Sequence, residues 1–369
     1  MVTNGSVAAY FVINFYLFFC YFFTLSPMNI ILDKIASVVK NANIGFDVEI
    51  SPQIDCREGA VLAVEVLEDK KVYNQLELVS GRLSTMHKGD ILAVALGNRQ
   101  ALRGFVGQVP ESVAVGDTIN VLNLGGVSGL CMSANIKEVG DALKVKVLGA
   151  VMKNGKAVNI KDYVLFSPMD HLGASAPLIV VSGTCMNVGK TSVAGEIIKH
   201  AKRARLKVFG AKLAGVAAMR DTESMRDYGA GTVVSFLDAG FPSTVHQKDA
   251  VAVAKGAIDY LSKDAPDYIV IEFGDGIFGE YGVMSCLKDP EIQRNIVAHI
   301  GCAYDPAGAV KLAEVCAEIG APLDVISGPV TDNSVGVSFV KDTLHLPGFN
   351  AFQRSEELFE YLSTHCFTK

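Results

Sequence analysis

Residues 183–192 read GTCMNVGKTS, with a lysine, three hydroxyls and two glycines inside ten positions. Those residue types suit a phosphate cradle. Glycine lets backbone N–H groups approach phosphate oxygens, Lys190 offers charge to the β- and γ-phosphates, and the Thr191 hydroxyl can ligate magnesium. The spacing departs from the common pattern of Gly, four residues, then Gly-Lys-Ser/Thr. Thr184 stands where that pattern needs glycine, and Gly183 comes one residue early. Upstream, LIVVS at 178–182 is the β-branched run a central parallel strand needs. Downstream, a helix predicted over 190–204 turns its positive end toward the loop. ATP and Mg²⁺ are therefore the expected ligands, held by Gly183, Thr184, Asn187, Val188, Gly189, Lys190, Thr191 and Ser192.

Three further segments carry candidate chemistry. VFGAKLAG (208–215) places Lys212 at the carboxyl end of a predicted strand, which faces the ligand crevice of an open α/β sheet. YIVIEF (268–273) brings Glu272 near the end of another strand. A buried carboxylate there is costly without a partner. Magnesium on phosphates needs a hydroxyl and one or two carboxylates, with water completing the shell, so Thr191 and Glu272 form the expected set, with Asp275 as a further candidate. GDGIFG (274–279) matches the dinucleotide-binding pattern literally, but EYGV follows where a helix should open, so it is expected to be a flexible loop whose Glu280 is a candidate catalytic group. After the last predicted strand, Pro329 and Asn333 of VISGPVTDN are candidates for contact with the base, or members of an ordinary turn.

The early glycine is informative. GTCMNVGKT resembles the GTxxxVGKT loop of dethiobiotin synthetase and related ATP-dependent synthetases, over the part of the chain from 177 onward. That resemblance implies a second lysine near the phosphates and the substrate carboxylate, matched by Lys212, although Leu213 replaces the family's proline. It implies a magnesium-binding glutamate, matched by Glu272, and a further aspartate near the metal, for which Asp221 is chosen over Asp227. It also implies a homodimer. The family's substrate serine after the lysine is missing from KLAG, and Cys185 and Met186 replace polar loop residues, so the resemblance does not extend to dethiobiotin synthetase itself.

The elements that must position these residues fall into two textures. From Ile44 to Phe166, short alternating segments are broken by Gly-Asp turns; KGDILAVAL, VGDTINVLNL and VGDALKVKVL share one layout at intervals of 24 to 27 residues. Such units predict a small β-barrel or sandwich, with NLGGVSGL (123–130) as a tight turn between strands or, as the alternative, a binding loop. SPMDHLGASAP (167–177) reads as a linker. Beyond it strands and helices alternate, as in a parallel α/β sheet. Strands are expected at 178–182, 206–211, 267–273, 295–301 and 322–327, and helices at 190–204, 249–263 and 306–319. The fold class is thus α/β, a parallel-sheet P-loop NTPase domain (177–369) preceded by a small β-rich domain (28–170).

With a formal net charge of −6, the 369-residue chain lacks the basic surface of a general nucleic-acid binder. The basic run at 199–207 closes a helix instead. Eight cysteines without a CxxC pair are neither a disulfide framework nor a zinc site, consistent with a cytoplasmic setting; His299 and Cys302 read as core. Residues 7–25 are uncharged and apolar, just long enough to span a bilayer. They lack the flanking charges of a signal or an oriented anchor. The expectation is a true start at Met28, with a membrane anchor through 7–25 as the alternative, and an amphipathic helix opening at MNIILDKIASVVKNA.

Functionally, a ligase that phosphorylates a small, unidentified carboxylate substrate is expected. A nucleotide switch that loads a metal or positions a partner is the alternative, and a non-catalytic ATP-sensing protein is a third class.

Overall fold

The computed structural model describes residues 28–246 and 248–367. Residues 7–25, with the anchor alternative, lie outside the described residues; among those described, no helix is long and apolar enough to cross a membrane.

The three Gly-Asp units all become strands of one barrel. Gly89, Gly116 and Gly140 take positive φ values of 88°, 94° and 63°, the left-handed turn conformation that glycine adopts without steric cost. The strands that follow are Ile91–Leu96, Thr118–Val121 and Leu143–Lys153. Along the last, buried Val145 and Val147 alternate with the more exposed Lys144 and Lys146, the period of two that gives a strand one apolar face. Together with Val61–Val66 and Val127–Ala134 they close a circuit of paired neighbours. The β-rich region is thus a closed barrel rather than a sandwich. One contact in the ring, Val127–Ala134 against Ile91–Leu96, is parallel; the others are antiparallel.

The helix expected at Met28 is absent. Met28–Ile31 pairs antiparallel with Asp47–Ser51, Lys34–Ile35 pairs parallel with the Ile91–Leu96 strand, and Ser37–Ala42 is a 3-10 turn. Apolar Ile31, Ile35, Val38 and Val39 fit a helical stripe, but in this arrangement Ile31 stays 72% exposed while the other three are buried. Pairing with the barrel decides, because it buries Leu32, Ile35, Val38 and Val39 and sets Lys34 against Asp90.

The second half is a six-stranded parallel sheet in the order Val233–Ser235, Val208–Ala214, Tyr268–Phe273, Leu178–Gly183, Ile296–Cys302, Val325–Ser327. Leu178–Gly183 is buried at all six positions, as an internal strand covered by helices on both faces must be. Helices Lys190–Arg203, Ala250–Ser262 and Pro306–Glu318 fall where expected. In the last, Asp305 caps through Gly308 N–H and Pro306 opens the first turn, a position where proline's missing donor costs nothing. The second strand runs to Ala214, beyond the expected end at 211, so Lys212 lies within it. His299 is buried between Ser182 and the Ala321 carbonyl, and Cys302 is also buried, as expected of core residues.

The two halves touch through directed polar contacts. Asn123 Nδ2 donates to Ala217 O at 2.7 Å, the Glu77 carboxylate accepts from Met219 N–H at 2.6 Å, and Tyr281 Oη accepts from Gln100 N–H at 3.0 Å. Lys40 pairs with Asp238. NLGGVSGL is the turn expected between two strands, and it is also the interface: a Cβ on Gly125 would collide with the Ala217 carbonyl oxygen.

Candidate functional site

Between the Leu178–Gly183 strand and the Lys190–Arg203 helix the chain makes a loop with two left-handed residues, Asn187 at φ 61° and Gly189 at φ 89°. Gly183 needs no unusual φ. It is glycine because a side chain there would press on Cys302 O and Val188 Cγ2, each 2.8 Å from the added Cβ. Gly189 meets only Gly328, at 3.8 Å, and is required by its φ instead. Lys190 begins the helix, is 5% exposed, and donates from Nζ to the Cys185 carbonyl at 2.7 Å, arching over its own loop. Burial lowers its pKa, with Glu272 pulling the other way.

On the neighbouring strands Lys212 and Glu272 are register partners. Lys212 Nζ forms an ion pair with Asp221, which lies in the acidic first turn of the helix Arg220–Tyr228. Burial opposes the Lys212 charge, but Asp221 prevails and raises its pKa. Asp221 is likewise held low by Lys212 against the cost of burial. Glu272 is 3% exposed. It accepts from Thr191 Oγ1 at 2.9 Å through Oε1, while Oε2 is buried without a hydrogen-bond partner. Burial, then the nearby Asp221 charge, pushes its pKa up to about 7.

A carboxylate oxygen buried with no donor is a costly arrangement unless a cation completes it. The set Thr191 Oγ1 and Glu272 fits magnesium bound jointly by phosphates and protein. Among the described residues no group of three or more His, Cys, Asp or Glu side chains could hold a metal by itself. Asp275 stands at φ 62° with its pKa raised by burial and lowered in part by Lys190.

These groups line one cavity of about 840 Å³. Asn187, Gly189, Lys190, Thr191 and Ser192 form its phosphate-loop wall, Lys212, Asp221, Glu272 and Asp275 its floor, and Pro329 one edge. The other expected residues stand elsewhere. Val188 is core. Thr184 and Glu280 line an adjoining cavity of about 500 Å³, where Glu280 faces His246 at 3.6 Å. Asn333 accepts from Val335 N–H and Gly336 N–H as the N-cap of the helix Ser334–Leu344. GDGIFG opens no helix; the next begins at Val283.

Sequence reasoning missed the opposite walls. Tyr73, Arg99, Arg103, Asn123 and Glu138 reach the cavity from the barrel, and Asp332 with Asn350 from beyond the last strand. Asn350 Nδ2 donates to Asp332 at 2.7 Å, and its Oδ1 accepts from Phe352 and Gln353 N–H. Only the glycine-rich NLGGVSGL offered a sequence signal for this side.

A parallel sheet with a strand–loop–helix turn at its carboxyl edge defines the fold class: this half of the chain has the fold of a P-loop NTPase domain. No family model matches the chain, and none of the curated proteins searched matches it. Similar solved structures include chloroplast FtsY from Physcomitrella patens, at 17% identity over 51% of this chain and 67% of that one, TM-score 0.35. The signal recognition particle receptor FtsY from Elizabethkingia anophelis in complex with GDP aligns at 15% identity over 55% and 69%, TM-score 0.35. Hydrogenase maturation factor HypB from Archaeoglobus fulgidus aligns at 17% identity over 51% and 89%, TM-score 0.35.

Proposed function

We propose that the chain is an ATP-dependent synthetase that phosphorylates the carboxylate of a small molecule and passes the activated acyl group to a nucleophile. The observation that carries this reading is the shared cavity. The barrel walls the space above the phosphate loop within one chain, and about 840 Å³ lies high in the range of roughly 300–1,000 Å³ usual for small-molecule sites, room for a second molecule beside a nucleotide.

In this reading the loop N–H groups and the helix N-terminus hold phosphate oxygens. Lys190, released from the Cys185 carbonyl, neutralises the terminal phosphates. Lys212, kept charged by Asp221, faces the transferring group and stabilises charge that builds on it. Thr191 and Glu272 would hold magnesium, which neutralises phosphate charge during transfer. The barrel wall keeps water from the acyl phosphate. A screen of carboxylate metabolites for stimulated ADP release tests the proposal, and uniform failure to stimulate counts against it.

A second reading, a nucleotide switch, has one observation in its favour. The segment 274–279 rests on the phosphate loop through Ile277 N–H to Gly183 O at 2.9 Å, holds Asp275 in a left-handed conformation and carries Phe278 61% exposed. A change of nucleotide could then move Phe278 toward a partner. Slow turnover stimulated by a protein rather than a metabolite distinguishes it.

A further inference from the structure

Arg99 stands on the short strand Arg99–Gln100 of the barrel domain and is 6% exposed, yet it lines the cavity opposite the phosphate loop. Its guanidinium is only half used. Nη1 donates to Tyr73 Oη at 2.9 Å and to the Leu122 carbonyl, and the cation lies 5.6 Å and 5.8 Å from the ring centroids of Tyr73 and Phe105. Nε is buried with no hydrogen-bond partner. Among the described residues no carboxylate stands within ion-pair distance of it, whereas its neighbour Arg103 is satisfied by Glu138.

A buried cation with no carboxylate at ion-pair distance is held mainly by neutral partners, a costly arrangement, and a fork fixed by a phenol hydroxyl and a carbonyl presents its remaining N–H donors in a set geometry to an oxyanion. The packing leaves that geometry little freedom: Gly104 has no side chain where a Cβ would stand 2.7 Å from Nη2. Asp275 lines the same cavity, and the charges of Lys190 and Arg99 both favour its ionised form against burial. On the barrel side the same cavity is lined by Tyr73, Ala101, Leu124 and Val139 as well as by Arg103, Asn123 and Glu138, so apolar surface for the body of a ligand lies beside polar groups.

Resting on the synthetase reading, we infer that Arg99 is the specificity residue for the second substrate, binding a carboxylate that is not the one phosphorylated. The substrate is then a dicarboxylate, or a carboxylate with a second anionic group, whose apolar middle crosses the cavity from Arg99 toward Lys212. The barrel is the domain that selects it, and ATP is bound without it.

The test uses the full chain and a probe series of C4 to C8 α,ω-dicarboxylates, the monocarboxylates of matching length, and chloride at equal ionic strength. Binding is read by thermal shift without nucleotide, and ATP affinity separately by calorimetry. Wild type is expected to be stabilised by one or two dicarboxylates of adjacent length and at least tenfold less sensitively by the monocarboxylates. Arg99→Gln should abolish the shift and Arg99→Lys should weaken it about tenfold, both binding ATP within threefold of wild type. Arg99→Lys keeps the charge, so it serves should Arg99→Gln fail to fold. No dicarboxylate shift in wild type, or equal dicarboxylate shifts in wild type and Arg99→Lys, would overturn the assignment. If the dicarboxylate shift stands but ATP neither binds nor turns over, the synthetase reading fails and the subsite remains.

Discussion

Lys212 and Glu272 are register partners on adjacent parallel strands, so a buried cation and a buried carboxyl share one level of the sheet at its ligand-binding edge. Asp221 takes the lysine and Thr191 takes one oxygen of the glutamate. The second glutamate oxygen is left without a donor, and this imbalance makes the cavity floor sensitive to protons and to cations.

The pH dependence follows from the sign. Glu272 is an acid whose folded pKa, about 7, lies above its unfolded value, so the folded state holds the extra proton. Stability contributed by the protonated form is present below about pH 4.5 and is lost as pH rises toward 7, by roughly 3 kcal/mol in all. Glu272→Gln should therefore flatten the stability profile between pH 5 and 7 and raise the melting temperature at pH 8, as denaturation series would show. An unchanged slope would remove Glu272 as its source.

Magnesium binding should be linked to the same proton. Below about pH 7 the ion must displace it, so affinity for Mg-ATP should fall by up to tenfold per pH unit, whereas metal-free ATP should show a shallower dependence. Calorimetry in two buffers of different ionisation enthalpy measures the released proton directly. In Glu272→Gln, proton release should vanish and turnover should drop by about 10²-fold or more.

The barrel and the nucleotide domain should unfold together. Gly125→Ala forces a methyl group into the Ala217 carbonyl oxygen, where backbone must move. A loss of about 1–3 kcal/mol is expected, with a lower apparent affinity for the carboxylate substrate because the barrel wall shifts. Two separate unfolding transitions in wild type would contradict this coupling.

Asn333→Ala provides a contrast. Its side chain caps a helix, so removal should cost about 1 kcal/mol and leave nucleotide affinity within twofold. Asn350→Ala, in the cavity wall and holding Asp332, should weaken nucleotide binding more than it lowers the melting temperature. Titration with a fluorescent ATP analogue beside thermal denaturation separates the two.

What the sequence revealed, and what it did not, follows the range of the forces involved. The phosphate loop, its strand and its helix are consecutive, so apolar run, glycines and Gly-Lys-Thr announce them together. The positions of Lys212 and Glu272 were legible because a residue near the end of a buried strand has only one edge of the sheet to face. The Met28 segment was misread because four apolar residues spaced by four, three and one suit a helix and a pair of short strands equally; pairing with Asp47–Ser51 and Ile91–Leu96 decides. Arg99 was invisible for the same reason. Nothing in GNRQ distinguishes an arginine in a cavity from one on the surface, and its partners Tyr73 and Leu122 are set by the closure of the barrel. The short edge strand Val233–Ser235 was also missed, being too brief to show a period.

The most direct measurement is ADP release by the full chain in the presence of a stimulating carboxylate, compared across wild type, Lys190→Ala, Lys212→Ala and Lys212→Arg. Lys212→Arg keeps a cation against Asp221 and guards against a folding defect. Lys190→Ala should lose ATP binding. Lys212→Ala should bind ATP within threefold of wild type while stimulated turnover falls about 10²-fold or more, and Lys212→Arg should fold normally yet remain well below wild type. Stimulated turnover in Lys212→Ala equal to wild type would contradict the synthetase function, and intact ATP binding in Lys190→Ala would contradict the phosphate site itself.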